Sequence, residues 1–374
     1  MFGSFLALAG AVAALGCDLE QPSGQAGCTR AAVDALPMNA IQAIGTHNSY
    51  KAAISPKEIA ILKSINPKTA ASLDYAKPSL TAQLDAGARQ LELDYVYDPQ
   101  GGRYATPLGL KIAKDADEAP YDAAPMMAPG LKVMHVPDID YRSVCATFVA
   151  CLTEVRAWSR AHPDHLPLLI IMNLKDDNIP FPGAVPLLPF DARAMASIDA
   201  EIRSVFPEAG LITPDKVQGR AATLREAVAT KGWPRLKAAR GKVMFAMDEG
   251  PAKTDLYLGP SKSLKGRVMF VNVDETSPAA GYITMNEPVE QSDRIGKAVA
   301  AGLIVRTRAD ADTVEARAND RARQEAAFAS GAQYVSTDYM TPDTRLGPYE
   351  AKLPGGGAGR LSPAFAKDSG AGRR

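Results

Sequence analysis

The sequence predicts an α/β protein built as a single (β/α)8 barrel of the TIM type, regular or distorted. Short apolar runs recur along the chain, longer helix-like segments separate them, and unusual polar residues stand where several runs end. Strands that alternate with helices through the whole length are typical of a parallel α/β architecture. Eight such units over roughly 300 residues favour a closed barrel over an open doubly wound sheet.

Several of the runs are apolar on both faces, as expected for parallel strands that helices cover. The predicted strands are 40–46, 89–96, 131–136, 166–174, 241–248, 266–273, 301–308 and 331–339. The clearest predicted helices are 151–162, 195–206 and 313–330. No GxGxxG or GxxxxGK loop follows the first strand, which removes the usual dinucleotide and P-loop interpretations.

The N-terminus indicates export. Residues 5–16 are apolar, too short to span a bilayer and about right for the core of a signal peptide, although no Lys or Arg precedes them. A buried N-terminal helix is the alternative. The predicted organisation is a signal peptide or lipoprotein signal at 1–16, a linker at 17–37, the catalytic barrel at 38–345 and a flexible Gly-, Pro- and Ala-rich tail at 346–374. We expect a secreted or periplasmic protein without a transmembrane span in the mature chain, either free or lipid-anchored through Cys17.

The four cysteines fit an oxidising compartment. Cys17 lies near Cys28 and Cys145 near Cys151, so two local disulfides are predicted, the second with more weight. The alternative for Cys145 and Cys151 is a pair of buried thiols on a helix. No cysteine is spaced with a histidine as a zinc site would need.

The charge balance argues against nucleic acid as a partner. Lys plus Arg equals Asp plus Glu, at 42 each, so no global basic field is present. Any binding that is driven by charge must therefore be local.

Polar residues collect at the carboxyl ends of the predicted strands, where barrels of this type place their chemistry. The residues at these ends are His47, Asn48, Glu92, Asp94, His135, Asn173, Lys175, Arg306, Arg308, Asp338 and Tyr339. Singly, each has a structural explanation; for example, Glu92 and Asp94 could pair with Arg306 and Arg308.

Taken together, these residues indicate metal-assisted phosphodiester chemistry. Carboxylate and amide oxygens suit a hard cation such as Ca²⁺ or Mg²⁺. Two histidines beside such a cation suit acid–base catalysis at neutral pH. Two arginines and a lysine across the mouth suit a phosphate. The remaining histidines, His162 and His165, fall at the opposite end of the barrel and are predicted to be surface residues.

Several stretches resemble the bacterial calcium-dependent phosphatidylinositol-specific phospholipase C family, in order along roughly 38–342. They are "IGTHNSYK", "QLDAGARQLELDYVYD", "MHVPDIDYRSVC", "CLTEVRAWSRAHPDHLPLLIIMNLKDD" and "IVRTRADADTVEARANDRARQEAAFASGAQYVSTDY". The resemblance implies a distorted TIM barrel that cleaves phosphatidylinositol between diacylglycerol and phosphate. The inositol 2-hydroxyl would attack phosphorus and give a cyclic inositol phosphate. The implied partner is a phospholipid at a membrane surface, and we expect a monomer.

Residue by residue, the resemblance implies His47 and His135 as the catalytic pair and Ca²⁺, rather than Mg²⁺, as the cofactor. The implied metal ligands are Asn48, Glu92, Asp94 and Asn173. The predicted phosphate-binding residues are Lys175 and Arg308, followed by Arg306 and Tyr339.

One position departs from the family pattern, because Asn173 stands where a glutamate is usual. The site then offers two formal negative charges rather than three, and a weaker calcium affinity is expected. The alternatives that stay open are a glycerophosphodiester or sphingolipid phosphodiesterase on the same barrel, and a non-catalytic barrel that binds lipid head groups.

Overall fold

Eight parallel strands curl into a barrel in the computed structural model, which describes residues 16–114 and 119–368. The strands in chain order are β1 (Ile41–Thr46), β2 (Gln90–Val96), β3 (Lys132–Val133), β4 (Leu168–Leu174), β5 (Leu211–Ile212), β6 (Val243–Met247), β7 (Met269–Val271), β8 (Tyr282–Thr284), β9 (Ile304–Arg308), β10 (Tyr334–Thr337) and β11 (Arg360–Leu361). The helices are α1 (Arg30–Asp34), α2 (Pro56–Ile65), α3 (Pro67–Leu73), α4 (Leu80–Asp85), α5 (Leu108–Ala113), α6 (Phe148–Ala161), α7 (Ala192–Val205), α8 (Pro214–Gln218), α9 (Leu224–Thr230), α10 (Leu236–Ala239), α11 (Pro251–Leu258), α12 (Ser292–Ala300), α13 (Val314–Ala318), α14 (Ala322–Ala329) and α15 (Pro363–Asp368).

The barrel strands run β7-β6-β4-β2-β1-β10-β9-β8, each parallel to its neighbour. The two ends of this series meet through one isolated parallel bridge between Asn272 and Tyr282. By contrast, β2 and β4 are paired continuously from Gln90–Leu169 to Tyr95–Leu174. The predicted (β/α)8 barrel is therefore confirmed in a distorted form, with one weak seam.

Seven of the eight predicted strands are parallel barrel strands, and one prediction is wrong. Within 131–136, only β3 forms, and it pairs antiparallel with β2 outside the barrel order. The eighth barrel strand is β8, which was not predicted: its short apolar run lies between Gly281 and Asn286 and is less extended than the run around β7, which is also three residues long.

The long helices cover the barrel where predicted. Helix α6 begins after Thr147, whose side chain accepts a hydrogen bond from the N–H of Ala150, and α7 is capped in the same way by Asp191. The predicted helix at 313–330 is instead two helices, because Asn319 takes a left-handed conformation at φ 49° and ends α13. No helix in the described ranges is long and apolar enough to cross a membrane.

The segment predicted as a linker at 17–37 packs into the base of the barrel. Leu19 and Val33 are fully buried in the main core. The carboxylate of Glu20 pairs with Arg89 and accepts a hydrogen bond from the backbone N–H of Leu166 at 2.8 Å. The predicted signal at 1–16 lies outside the described residues, apart from its last residue, Gly16.

Much of the stretch expected to be a flexible tail is also packed. Strand β11 pairs antiparallel with β1, and Ala351, Leu353 and Ser362 are buried. This segment holds few large apolar residues. It is held instead by backbone hydrogen bonds, since the Ser362 N–H donates to the carbonyl of Ala40, directly before β1. Residues 369–374 lie outside the described ranges.

Both predicted disulfides are present, Cys17–Cys28 and Cys145–Cys151. Disulfides of this kind are typical of exported proteins. Because the Sγ atom of Cys17 is bonded to Cys28, it is not available for the thioether of a lipid anchor. The structure therefore does not support the expected alternative of anchoring through Cys17.

His165 is buried at the base, which contradicts the prediction of a surface residue. Its Nδ1 lies 2.6 Å from the carbonyl oxygen of Leu166, and its Nε2 lies 2.7 Å from the hydroxyl of Ser159. The neutral ring makes both hydrogen bonds, by donating from Nδ1 to the carbonyl and accepting at Nε2 from the hydroxyl. Burial lowers the pKa of His165 from 6.5 to about 4. His162 is exposed, as predicted, and stacks on Trp158.

This buried histidine predicts a loss of stability in acid. Its folded pKa is lowered, so its contribution is complete above pH 6.5 and is lost as the pH falls towards about 4. The difference between the unfolded pKa of 6.5 and the folded pKa of about 4 corresponds to about 3 kcal/mol of unfolding free energy. Urea unfolding between these pH values should show a shallower decline for His165→Gln than for the parent. His162→Gln is the control and should keep the parental slope; equal slopes for all three proteins would contradict the assignment.

A second prediction concerns Gly45 in β1, which is paired with Gln90. A Cβ atom at Gly45 would lie 2.4 Å from the Cβ of Gln90 and 2.6 Å from its carbonyl oxygen. Gly45→Ala should therefore lower the unfolding free energy by about 1–3 kcal/mol in urea titrations. In the control, Gly296→Ala in exposed α12, nothing lies within 4 Å and a gain of about 0.5–1 kcal/mol is expected. A Gly45→Ala protein as stable as the control would show that β1 and β2 can separate freely.

Candidate active site

The carboxyl ends of the parallel strands meet at one mouth of the barrel. His47 follows β1, Arg308 ends β9 and Asp338 follows β10. Strand β10 lies between β1 and β9 in the sheet. The three side chains are therefore brought together although they are distant in sequence.

His47 is paired with Asp338, since Nδ1 lies 3.0 Å from Oδ1 of the carboxylate. With Nδ1 donating to Asp338, the lone pair of Nε2 remains free to accept a proton. The nearest carboxylate oxygen to Nε2, Oε1 of Glu92, is 3.8 Å away and beyond hydrogen-bond distance. Burial lowers the pKa of His47, and the positive charge of Arg308 lowers it further. These two effects outweigh the negative charges of Asp338 and Glu92, which act to raise it. The ring is therefore neutral at pH 7.

Asp338 is surrounded by cations. Nζ of Lys77 lies 2.9 Å from its Oδ1, and Nη2 of Arg308 lies 3.3 Å from its Oδ2. Although burial opposes them, Lys77, His47 and Arg308 hold the pKa of Asp338 well below its usual range. Behind it, the Asp338 N–H donates to Oδ1 of Asp310, whose pKa is raised to about 6 by burial and by the charge of Asp338. Asp338 is thus a permanent anion that orients the imidazole.

His135 has an equivalent partner in Asp140, because Nδ1 of the ring lies 2.9 Å from Oδ2. The other oxygen, Oδ1, lies 3.0 Å from Nζ of Lys51, and both Lys51 and Asp140 are fully buried. His135 stands on the loop after β3 rather than at the end of a barrel strand. An antiparallel bridge between Val136 and Asp140 closes this loop and brings the histidine to its carboxylate.

Tyr75 lies between the two histidine–aspartate pairs. Nζ of Lys51 is 4.9 Å from the centroid of its ring, and Nζ of Lys77 is 5.0 Å from it. The ring also lies 6.3 Å from that of His47, centroid to centroid. The two pairs therefore belong to one site.

Glu92, on β2, is buried and held from two sides. Its Oε2 accepts a hydrogen bond from Nη2 of Arg306, and its Oε1 accepts one from Nδ2 of Asn173 at 3.0 Å. Arg306 is itself fully buried, and it also donates to Ser336 and Asn286. Its guanidinium is thus occupied by the protein, and its contacts support a role in positioning Glu92 rather than in binding phosphate.

Asp94, two residues further along β2, has one free oxygen. Oδ2 lies 2.9 Å from Nζ of Lys175, whereas Oδ1 is buried and has no hydrogen-bond partner in the part of the chain that the structure describes. Burial acts to lower the pKa of Lys175, but Asp94 outweighs it and raises that pKa above its ordinary value. The side chain of Lys175 is 35% exposed, which makes it the most accessible of the cations that pair with these carboxylates.

Asn48 is held in a strained position directly after His47. Its φ is 44°, a left-handed conformation that asparagine tolerates better than most residues. Its Nδ2 donates to the hydroxyl of Tyr75 at 2.8 Å, and its Oδ1 lies 3.5 Å from the hydroxyl of Tyr50. These contacts orient the amide towards the centre of the site.

The structure brings the predicted site residues to this mouth. Tyr339 directly follows Asp338 in the chain, and its ring packs with Ala316 and Tyr349. In the described ranges no three His, Cys, Asp or Glu side chains form a group that could hold a metal ion. The predicted calcium donors are two carboxylates and two amides, which is a weaker donor set.

Several functional neighbours were missed by the sequence analysis. They are Lys51, Tyr75, Lys77, Asp140 and Asp248. Asp140 carries a detectable signal, because it lies five residues after His135 in a loop dense in carboxylates. Asp248 directly follows β6, and its charge acts on Arg306 and Glu92. Lys51 ends the stretch "IGTHNSYK" but was not recognised as a site residue, and Lys77 lies in a loop without a distinctive pattern.

The fold and the mouth define a TIM-type barrel enzyme equipped for acid–base chemistry beside a cluster of charges. Residues 36–363 match the profile of the phosphoinositide phospholipase C family described as Ca²⁺-dependent. The chain therefore belongs to this family, whose members are phosphodiesterases.

Solved structures show the same fold at low identity. A calcium-dependent phosphoinositol-specific phospholipase C from Pseudomonas sp. aligns with a TM-score of 0.53 and 18% identity, over 87% of this chain and 95% of that one. The phosphatidylinositol-specific phospholipase C of Streptomyces antibioticus aligns with a TM-score of 0.51 and 19% identity, over 81% and 95%. No curated protein matches the chain.

Because Asp140 is paired with Lys51, removal of the lysine is expected to lower the unfolding free energy by a large amount. Lys51→Met leaves a fully buried carboxylate without its lysine, and about 3–5 kcal/mol of unfolding free energy should be lost. Lys352→Met is the control, because that lysine is 68% exposed beside Glu350 and should contribute at most about 1 kcal/mol. Urea unfolding at neutral pH measures both. A small cost at Lys51 would show that Asp140 is not held as an anion by this pair.

Proposed function

We propose that this protein is a calcium-dependent phospholipase C that cleaves phosphatidylinositol to diacylglycerol and a cyclic inositol phosphate. The observation that carries the proposal is the convergence of two histidines, each with its own buried aspartate, at the mouth of a barrel of this family. Two positioned imidazoles can remove a proton from one oxygen and supply one to another. That is the requirement of an intramolecular displacement at phosphorus.

His47 takes the role of general base. Its Nδ1 is committed to Asp338, and its Nε2 has no hydrogen-bond partner, so Nε2 can accept the proton of the inositol 2-hydroxyl. Glu92, the alternative base, is bound by Arg306 and Asn173 and is less available. His135 then acts as general acid and protonates the departing diacylglycerol oxygen, while Asp140 holds the ring through its Nδ1.

Lys175 and Arg308 are the phosphate-binding residues. Lys175 is bound to the protein only through Asp94 and can turn towards an anion. The guanidinium of Arg308 is oriented by the carbonyl of Asp310 at 2.9 Å and by Asp338. Arginine and lysine in this arrangement bind the charge that grows on a phosphate oxygen in the transition state.

The donor set fits calcium. Among the described residues, Asp94 Oδ1 is a buried oxygen without a hydrogen-bond partner. Asn48 and Asn173 carry amide oxygens at the same mouth, and Glu92 would join them by releasing one of the hydrogen bonds that its two oxygens accept from Asn173 and Arg306. These four residues would hold the ion, which supplies electrostatic stabilisation of the phosphate and a lower pKa for the attacking hydroxyl. Only two carboxylates contribute, and they are paired with Arg306 and Lys175, which indicates weak affinity. Such affinity is sufficient for extracellular sites, which bind calcium at roughly 10⁻⁴–10⁻³ M.

Export is part of the proposal. The two disulfides require an oxidising compartment, and a weak calcium site can be filled outside the cell. We propose a free, monomeric protein that meets its lipid at a membrane surface. Cleavage of the chain after the predicted signal would leave Cys17 in its disulfide.

Substitution of either histidine should abolish most turnover. His47→Ala and His135→Ala are each expected to lower the rate by about 10²–10⁴-fold, the usual contribution of a general acid or base. Phosphorus-31 NMR of phosphatidylinositol with calcium or with chelator measures the reaction and identifies the cyclic product. His162→Ala, at the far end of the barrel, is the control and should keep parental activity.

Near-full activity of either catalytic variant would refute the assigned roles. Turnover of sphingomyelin or glycerophosphoinositol in place of phosphatidylinositol would instead favour a different phosphodiesterase.

Restoring a third carboxylate should strengthen calcium binding. Asn173→Glu removes the amide that donates to Glu92 and adds an anionic oxygen donor beside Asp94. The calcium concentration for half-maximal activity should fall, and calorimetric titration with calcium should show the same shift. Asn178→Glu, in the exposed loop after β4, is the control for a simple increase in negative charge. An unchanged calcium dependence in Asn173→Glu would exclude this position from the metal site.

A further inference from the structure

An apolar groove of about 490 Å³ lies beside the candidate active site. Helix α2, helix α5 and the loop after β4 form its walls, all of which follow the carboxyl ends of barrel strands. Its apolar lining includes Ile61, Leu62, Ile65, Leu108, Ile112 and Phe181. Ile65, Ile112 and Phe181 are 63%, 45% and 42% exposed, an unusual concentration of large apolar side chains in contact with water. Such patches mark binding surfaces on soluble proteins.

The groove is continuous with the His135 loop. Asp138 and Ile139 line it, and they lie between His135 and the partner of that histidine, Asp140. The groove therefore adjoins the loop that carries His135.

The two carboxylates in the groove wall are already occupied. Glu58 accepts hydrogen bonds from the N–H of Ser55 and from Nε of Arg142 at 3.3 Å. Asp138 accepts bonds from the N–H groups of Leu108 and Val185, at 2.7 and 2.6 Å. The uncharged polar residues Asn66 and Thr69 also line the groove, and none of the described lining residues is Lys, Arg or His. The groove therefore offers an apolar chain a favourable surface and offers a phosphate no cation.

The close approach of α5 to the loop depends on a glycine. The N–H of Gly109 donates to the carbonyl of Asp138 at 2.8 Å, and a Cβ at Gly109 would lie 2.7 Å from that oxygen. The two walls are thus joined by a direct backbone hydrogen bond, and the groove is a defined part of the fold.

We propose that this groove holds one acyl chain of the glycerophospholipid substrate while its phosphate reacts at the two histidines. The volume lies within the roughly 300–1,000 Å³ of ordinary small-molecule sites. The proposal rests on the proposed function for the reaction, whereas chain binding itself does not require turnover. The groove makes the enzyme selective for the length of the acyl chain even when the lipid is monomeric and no membrane is present.

The test uses monomeric lipids below their micelle concentration, so that no membrane surface is present. Octanoyl, decanoyl and dodecanoyl lysophosphatidylcholines are titrated by calorimetry, and kcat/KM is measured for short-chain phosphatidylinositols of increasing length. Burial of each added methylene should raise affinity by up to about fourfold. In Ile65→Asn/Ile112→Asn this dependence on chain length should largely disappear, while dibutanoyl-phosphatidylinositol is cleaved at the parental rate.

Val289→Asn/Val314→Asn is the matched control, since these valines are 56% and 62% exposed and do not line the groove. It should keep the parental dependence on chain length. The proposal would be overturned if both double variants lost the dependence on chain length equally. It would also be overturned if the affinity of the parent protein did not change with chain length. A dimer in sedimentation that Ile65→Asn/Ile112→Asn dissociates would likewise overturn it, because the groove would then pair two copies. Chain-length-dependent binding without turnover of phosphatidylinositol would refute the proposed function and leave the groove assignment standing.

Discussion

The mouth of this barrel depends on the pairing of buried charges. Four of the carboxylates there are each matched by a cation from the same chain: Asp140 by Lys51, Asp338 by Lys77, Glu92 by Arg306 and Asp94 by Lys175. A buried carboxylate without a partner would be too costly to keep ionised. The pairs therefore allow a dense group of anions to exist at the centre of a single domain.

The four pairs differ in how firmly they are held, and this difference assigns their roles. Lys51, Lys77 and Arg306 are buried and fix Asp140, Asp338 and Glu92 in place. Lys175 is partly exposed, and its partner Asp94 keeps one oxygen free. The site thus combines a rigid half that orients two histidines with an adjustable half that can accept an ion and a phosphate.

The sequence predicted the barrel and most of its mouth because strand ends carry a local signal. His47, Glu92, Asp94 and Asn173 each follow or lie in an apolar run that can be recognised alone. The segment 131–136 was wrongly predicted as a barrel strand because an apolar run does not show the direction of its pairing, and β3 pairs antiparallel with β2. Strand β8 was missed because its apolar run is short. The lysines behind the aspartates were missed because their roles arise only from long-range packing: 261 residues separate Lys77 from Asp338.

The packing of both chain ends at the base has a consequence for the order of folding. The Leu19 N–H donates to the carbonyl of Gly359, and β11 pairs with β1, so the first and last described segments complete each other. During synthesis the early segment emerges long before its partner does. Leu19 and the start of β1 must stay incompletely covered until residues 359–361 have been synthesised. The base therefore closes after the last barrel strand has formed, and a chain that stops before β11 lacks the segment that closes it.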